Sequence, residues 1–188
     1  MYYTLEEELK GWYKRSGIPH YDSDKVYQFI TYRLHDSVPQ KILAQWQDDL
    51  SIIKQTNKDS PEYQALQRKI FKYEDNGYGK CYLKIPAVYE VVKQAFFHFD
   101  KIKYDLIEWI IMPNHVHVLI LPYEEQSLPN IIHSWKSFTA TKANQILQRR
   151  GKFWMEDYYD RYIRDVNHFR DVINYIRNND KKKVSIAV

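Results

Sequence analysis

At 188 residues, 44% hydrophobic and 28% charged, the chain has the size and make-up of one globular domain rather than of a disordered or fibrous protein. Its net charge of +4, from 28 Lys and Arg against 24 Asp and Glu, permits a nucleic-acid partner without requiring one. A single cysteine, Cys81, excludes an internal disulfide and a cysteine-built zinc site, and five Gly with seven Pro exclude low-complexity classes.

The opening MYYTLEEELKGWYK is acidic and aromatic, unlike a secretory signal. No apolar run nears the ~18 residues that span a bilayer. A reducing, cytoplasmic setting without a membrane partner is the expectation.

In chain order, residues 5–15 predict a short helix interrupted by Gly11 and ended by Ser16-Gly17-Ile18-Pro19. Residues 26–34 (VYQFITYRL) are β-branched and aromatic and predict a strand. Residues 39–73 predict two helices broken at Asn57 to Pro61, with Trp46 and Leu50 in the first and Leu66 and Ile70 in the second. A turn follows at Glu74-Asp75-Asn76-Gly77, and a further strand is allowed around residues 80–85. Pro86 opens a helix with Val88, Val92 and Phe96 on one side. Residues 103–112 and 115–121 predict strands that pair as a hairpin across Pro113-Asn114. Ser127 is placed to cap a long helix reaching about Arg150, ended by Gly151, and a last helix covers about 167–179. The order predicts an α+β fold, an antiparallel sheet with helices on one face. It forms a single domain over 1–188, with a helical insertion over 39–75 and a tyrosine-bearing terminal helix over 166–180.

WIIMPNHVHVLILP is the most informative segment. Side chains alternate along a strand, so His115 and His117 share one face while Val116 and Val118 take the other. Two imidazoles on a rigid strand suit a metal clamp; by spacing alone they also suit polar residues satisfied on a sheet. Leu119 stands where a histidine-triad hydrolase needs a third His, and no His pair has the one-turn helical spacing of a zinc protease.

On the terminal helix, Phe169, Val172, Ile173 and Ile176 form an apolar stripe. Tyr175 and Asn179 are i and i+4, stacked on its flank, with His168 two turns earlier. The chemistry suggested is a Tyr175 hydroxyl attacking a phosphodiester. Asn179 would give a third ligand, by its carbonyl oxygen, to a hard divalent ion, Mg2+ or Mn2+, beside the His pair. The alternatives are a packed or solvated helix tyrosine, a plain helix C-terminal Asn179 and a surface His168.

These segments resemble the HUH single-tyrosine transposases, and within them the REP-associated tyrosine transposases. MPNHVHVLI resembles their histidine signature, NGYGKCYL their glycine-aromatic segment and KSFTATKANQ the start of their long-helix motif. FWMEDYYDRYIRDVNHFRDVINYIRNN resembles their C-terminal region. The likeness spans roughly residues 26–180. It implies a ferredoxin-like sheet, a single-stranded or hairpin DNA substrate, His115, His117 and Asn179 as metal ligands, and Tyr175 as nucleophile. The intermediate it implies is a 5′-phosphotyrosine with a free 3′-hydroxyl, and nucleoid association would follow. Some members of the family exchange the tyrosine helix in a homodimer, and the REP-associated branch can act alone. The chain departs from the family's usual Asn-Pro at Asn179-Asp180, and its tail is KKKVSIAV. Tyr158, Tyr159 and Tyr162 are rival nucleophiles, none with an Asn four residues on.

Candidate DNA-backbone contacts are Lys136 and Lys142 on the long helix, Arg149, Arg150 and Lys152 at its end, Arg161 and Arg164, and the tail Lys181 to Lys183. Trp154, Tyr158 and Tyr159 are placed to stack bases, though Trp154 suits a core as well. Competing readings are a catalytically inactive or domesticated hairpin-DNA-binding protein of the same fold, a replication initiator or relaxase, and a small-molecule phosphodiesterase.

Overall fold

The computed structural model describes residues 11–15, 18–23, 25–39, 41–42, 44–46, 49, 60–74 and 76–179. In chain order its elements are β1 (Gly11–Arg15), β2 (Ile18–Asp22), β3 (Gln28–Arg33), α1 (Pro61–Glu74) and a 3-10 turn (Tyr82–Lys84). They continue with α2 (Pro86–His98), β4 (Tyr104–Ile111), β5 (His115–Pro122), α3 (Leu128–Ile146), β6 (Tyr159–Tyr162) and α4 (Val166–Asn178). β1 and β2 form a separate hairpin; the main sheet runs β4-β5-β3-β6, antiparallel throughout. From β3 to β6 the succession strand, helix, strand, strand, helix, strand with this order is the ferredoxin-like arrangement. The expected α+β class therefore holds.

The alternation of β3 and β5 sorts two cores. Ile30, Tyr32, Val116, Val118 and Ile120 point to one face, where Val88, Val92 and Phe96 of α2 and Leu128, Ile131 and Trp135 of α3 cover them. Phe29 and Leu119 point to the other face, where α4 lays Val172 and Ile176 on them together with Ile110 and Met112. Burying each such aliphatic side chain contributes about 1.5–3 kcal/mol relative to exposure. The helices expected on one face are α2 and α3. The terminal helix takes the opposite face, and by parity that is the face of His115 and His117.

α1, the second helix of the insertion, follows the expected pattern: Leu66 and Ile70 pack on Val38 and Trp46. The described residues between 41 and 49 are helical as expected; most of that helix, and the Asn57 to Pro61 break apart from Ser60 and Pro61, lie outside the described residues.

Several expectations are corrected. The helix over 5–15 is not formed in its described part: Gly11–Arg15 is a strand paired with Ile18–Asp22. Residues 5–10 lie outside the described residues. The segment 80–85 holds a 3-10 turn rather than a strand, with Cys81 in the left-handed region at φ 51. Ser127 sits at the N-cap of α3 but its side chain makes no capping hydrogen bond. The Leu128 N–H is instead taken by Asp22 Oδ1 at 3.1 Å, a cap from a distant strand that adjacent residues do not reveal. α3 ends at Ile146, four residues before Arg150, and Gly151 turns the following loop at φ +99.

β6 has no apolar alternation to announce it. Its Asp160 is fully buried because His20 Nδ1 meets Asp160 Oδ1 at 2.5 Å and the Tyr21 N–H donates to Oδ2 at 2.9 Å. A carboxylate sits in the sheet only with such partners, and they come from 139 and 140 residues away.

Candidate active site

The β4–β5 hairpin turns through Met112, Pro113 and Asn114, with the Met112 N–H on His115 O at 2.9 Å. That turn sets the register of β4 on β5, and along the other edge of β5 Thr31 of β3 stands directly opposite His117 and Arg33 opposite His115. Both imidazoles are buried, His115 at 1% and His117 at 0% exposure, and their Nε2 atoms face each other at 3.1 Å.

The proton on His115 can be assigned from its neighbours. Asn114 Nδ2 lies 2.9 Å from the Tyr78 carbonyl oxygen, which can only accept, so this atom is the amide nitrogen. Asn114 Oδ1 is then the atom 2.8 Å from His115 Nδ1, and Nδ1 must donate to it. A neutral His115 therefore presents an Nε2 lone pair toward His117. The carbonyl that orients Asn114 belongs to the NGYG segment. There Gly79 is needed at φ +88, since a Cβ would meet Asp36 O at 2.6 Å.

His117 has a choice that His115 lacks. Its Nδ1 lies 2.7 Å from Thr31 Oγ1, a hydroxyl that both donates and accepts. With Nδ1–H donating to Thr31, both Nε2 lone pairs converge, the arrangement a cation needs. With the hydroxyl donating to Nδ1, His117 Nε2–H can bridge to His115 instead. Burial first, and the neighbouring His115 second, hold the His117 pKa well below its ordinary value, so the ring stays neutral and able to bind a metal.

α4 supplies the other pair. Asp165 caps its first turn, accepting the His168 N–H at 2.9 Å. Val172 and Ile176 seat it on the sheet, and Arg177 Nε donates to Glu108 Oε2 at 2.7 Å across to β4. This brings the Tyr175 hydroxyl to 3.3 Å from His117 Nε2, its ring 6.1 Å edge-on from Phe29. Asn179, one turn on, caps the helix and is 6% exposed, with no hydrogen-bond partner for its amide nitrogen. Side-chain amide atoms are assigned by their partners, and an orphaned buried amide beside a helix end is a group that a ligand would satisfy. Among the described residues no cluster of three or more His, Cys, Asp and Glu is placed to hold a metal. The two convergent imidazole nitrogens nonetheless fit a divalent ion, and Asn179 completes a mixed nitrogen and oxygen set with its amide turned so that the oxygen, an acceptor, takes the place of the orphaned nitrogen.

The rivals of Tyr175 are placed otherwise. Tyr158 is buried against His20, ring centroids 4.5 Å apart, and Tyr162 packs on Tyr21 at 4.9 Å. Tyr159 lines the same cavity as Tyr175, and so does the half-buried His168, whose Nδ1 accepts the Arg164 N–H at 3.3 Å. Of the aromatics expected to stack bases, Trp154 is in the core, donating to Thr139 Oγ1 at 2.8 Å, and Tyr158 joins it there; of the three, Tyr159 lines the cavity of Tyr175.

The expected DNA contacts divide. Arg161 and Arg164 line the Tyr175 cavity. Lys136 and Lys152 line a second hollow of about 410 Å3 between α3 and the segment 151–158, where Lys136 Nζ donates to Glu156 O at 2.6 Å. Arg149 lies over the Tyr82 ring at 5.1 Å, while Lys142 and Arg150 are exposed. Lys181 to Lys183 and Asp180 lie outside the described residues. Sequence reasoning missed Thr31, Asn114 and the insertion residues Gln64 and Arg68. For Asn114 the signal was its place beside His115; for the others none was visible. Among the described residues no helix is long and apolar enough to cross a membrane.

The family described as Transposase IS200 like matches residues 84–179. No curated protein matches the chain. Among solved structures, a REP-associated tyrosine transposase bound to a REP hairpin is similar with a TM-score of 0.50 at 14% identity, over 92% of this chain and 74% of that one. A protein described as a transposase from Deinococcus radiodurans R1 aligns at 12% identity with a TM-score of 0.35, over 88% of this chain and 96% of that one. The first likeness concerns the fold. The family match covers just over half of the residues, from the 3-10 turn to Asn179, and with it the chain belongs to the IS200-like transposase family.

Proposed function

We propose that this protein cleaves and rejoins single-stranded DNA, with Tyr175 as nucleophile and the whole chain acting as one transposase-like domain. The observation that carries this reading is the Tyr175 hydroxyl 3.3 Å from Nε2 of a buried, neutral His117 whose lone-pair partner is His115.

In the forward step the Tyr175 oxygen attacks phosphorus. A Tyr–O–P bond forms and the P–O3′ bond breaks; the phenol gives up its proton and the departing 3′ oxygen takes one up. The product is a 5′-phosphotyrosine and a free 3′-hydroxyl. Because the ester keeps the bond energy, attack by a 3′-hydroxyl reverses the step and joins strands. His115, His117 and Asn179 would hold Mg2+ or Mn2+, which when bound polarises the scissile phosphate and offsets charge in the transition state. Phe29, stacked 5.6 Å from His117 and edge-on to Tyr175, and the seat of α4 hold the phenol in place.

Lys136, Lys142, Arg149, Arg150, Lys152, Arg161 and Arg164 contact the DNA backbone in this reading. The similar structure holds a REP hairpin, and a hairpin-bearing single strand is the substrate class proposed here. All four reacting residues belong to one chain, so a homodimer is not required.

The test is an oligonucleotide carrying a hairpin and a single-stranded flank, incubated with the protein and Mn2+. A covalent adduct on a denaturing gel is expected, lost with a chelator and lost in Tyr175→Phe. An adduct that persists in Tyr175→Phe removes the nucleophile assignment.

A further inference from the structure

The cavity beside Tyr175 has a wall that neither the sheet nor α4 supplies. It encloses about 620 Å3, the size of a small-ligand site. Arg161 and Arg164 line it from β6 and the loop that follows, and Gln64 and Arg68 line it from α1, the helix of the insertion. Gln64 and Arg68 are i and i+4 and share a helix face. Leu66 and Ile70 occupy the far face and are buried on Val38 and Trp46, which turns the polar pair away from the insertion's own core. The family match begins at residue 84, so α1 lies outside it.

The chemistry of this wall selects a ligand. Arg68, Arg161 and Arg164 bring three guanidiniums to one opening, against Asp165 and Asp171. The Asp165 carboxylate is already engaged with the first turn of α4. A guanidinium presents a planar fork of donors that matches a phosphate. Tyr159 offers a ring of the kind on which an unpaired base stacks. We infer that this cavity is a subsite for a nucleotide of single-stranded DNA flanking the scissile phosphate, and that the insertion holds it, with Arg68 on its phosphate. The inference rests on the single-strand reading above and adds a binding role for α1.

The experiment measures binding of fluorescein-labelled oligo(dT) across a salt series, using the full chain with Tyr175→Phe so that no covalent step intervenes. Each cation that neutralises a phosphate of a single strand adds about 0.7 to the slope of log K against log salt, so its removal lowers the slope by that amount. Arg68→Ala is expected to weaken binding with that decrease in slope. Lys69→Ala, which removes an equal charge from a neighbouring exposed position that does not line the cavity, leaves the slope unchanged. Equal slopes for the two variants overturn the subsite. Adduct formation by the otherwise unaltered chain is scored separately. If it fails while Arg68→Ala still lowers the slope, the subsite stands and the cleavage reading falls. If the adduct forms and Arg68→Ala has no effect, the subsite alone falls. Absence of oligo(dT) binding overturns the subsite, and together with absence of the adduct it overturns both.

Discussion

Asn114 Oδ1 accepts the Nδ1–H of His115 at 2.8 Å, and the same amide donates to Tyr78 O at 2.9 Å. The side chain beside His115 thus dictates which of its ring nitrogens is left bare. Outer partners of this kind tune metal affinity by about 10–100-fold. Asn114→Leu is therefore expected to weaken Mn2+ binding by that factor, read by calorimetry, with Thr31 and His117 undisturbed. Unchanged affinity would mean that His115 does not need this orienting bond.

Thr31 Oγ1 lies 2.7 Å from His117 Nδ1, both groups buried. Thr31→Val keeps the shape and strands a buried ring nitrogen, which costs about 1–3 kcal/mol. Urea unfolding in the presence of a chelator measures it. A loss below a few tenths of a kcal/mol would show that His117 finds another partner.

His117 is held well below the ordinary imidazole value of 6.5, by burial and then by His115. Burial, then Arg161 and Arg164, push His168 the same way. In the unfolded chain these rings take up protons near that ordinary value while the folded ones refuse them. Metal-free stability should be fully present above about pH 6.5 and fall as the pH drops below it. Substituting His117→Gln should flatten this acid limb; an equally steep limb in that variant contradicts the assignment.

Ile176 is 1% exposed where α4 meets Phe29 and Leu119. Ile176→Ala should lower stability by about 2–5 kcal/mol and reduce adduct yield further than the folded fraction explains, because the same packing seats Tyr175. By contrast the exposed Arg177–Glu108 pair should contribute no more than about 1 kcal/mol in a double-mutant cycle.

Much of this protein was legible from its residues alone. A strand has a period of two and a helix 3.6, so His115 and His117 had to share a face, and Tyr175 had to ride with Asn179 beside an apolar stripe. Those patterns depend only on local backbone geometry, and they led to the strands β3, β4 and β5 and to α1, α2, α3 and α4. Where the signal lay in partners remote along the chain, the sequence was silent or misleading. β6 reads as polar until His20 meets Asp160, α3 takes its cap from Asp22 rather than Ser127, and residues 11–15 form a strand because residues 18–22 pair with them. The face on which α4 lies, the tautomer that Asn114 imposes on His115, and the arrival of Gln64 and Arg68 at the tyrosine cavity were likewise decided only by tertiary structure. Each depends on side chains that meet in space through packing and hydrogen bonds, and such meetings leave no period in the sequence.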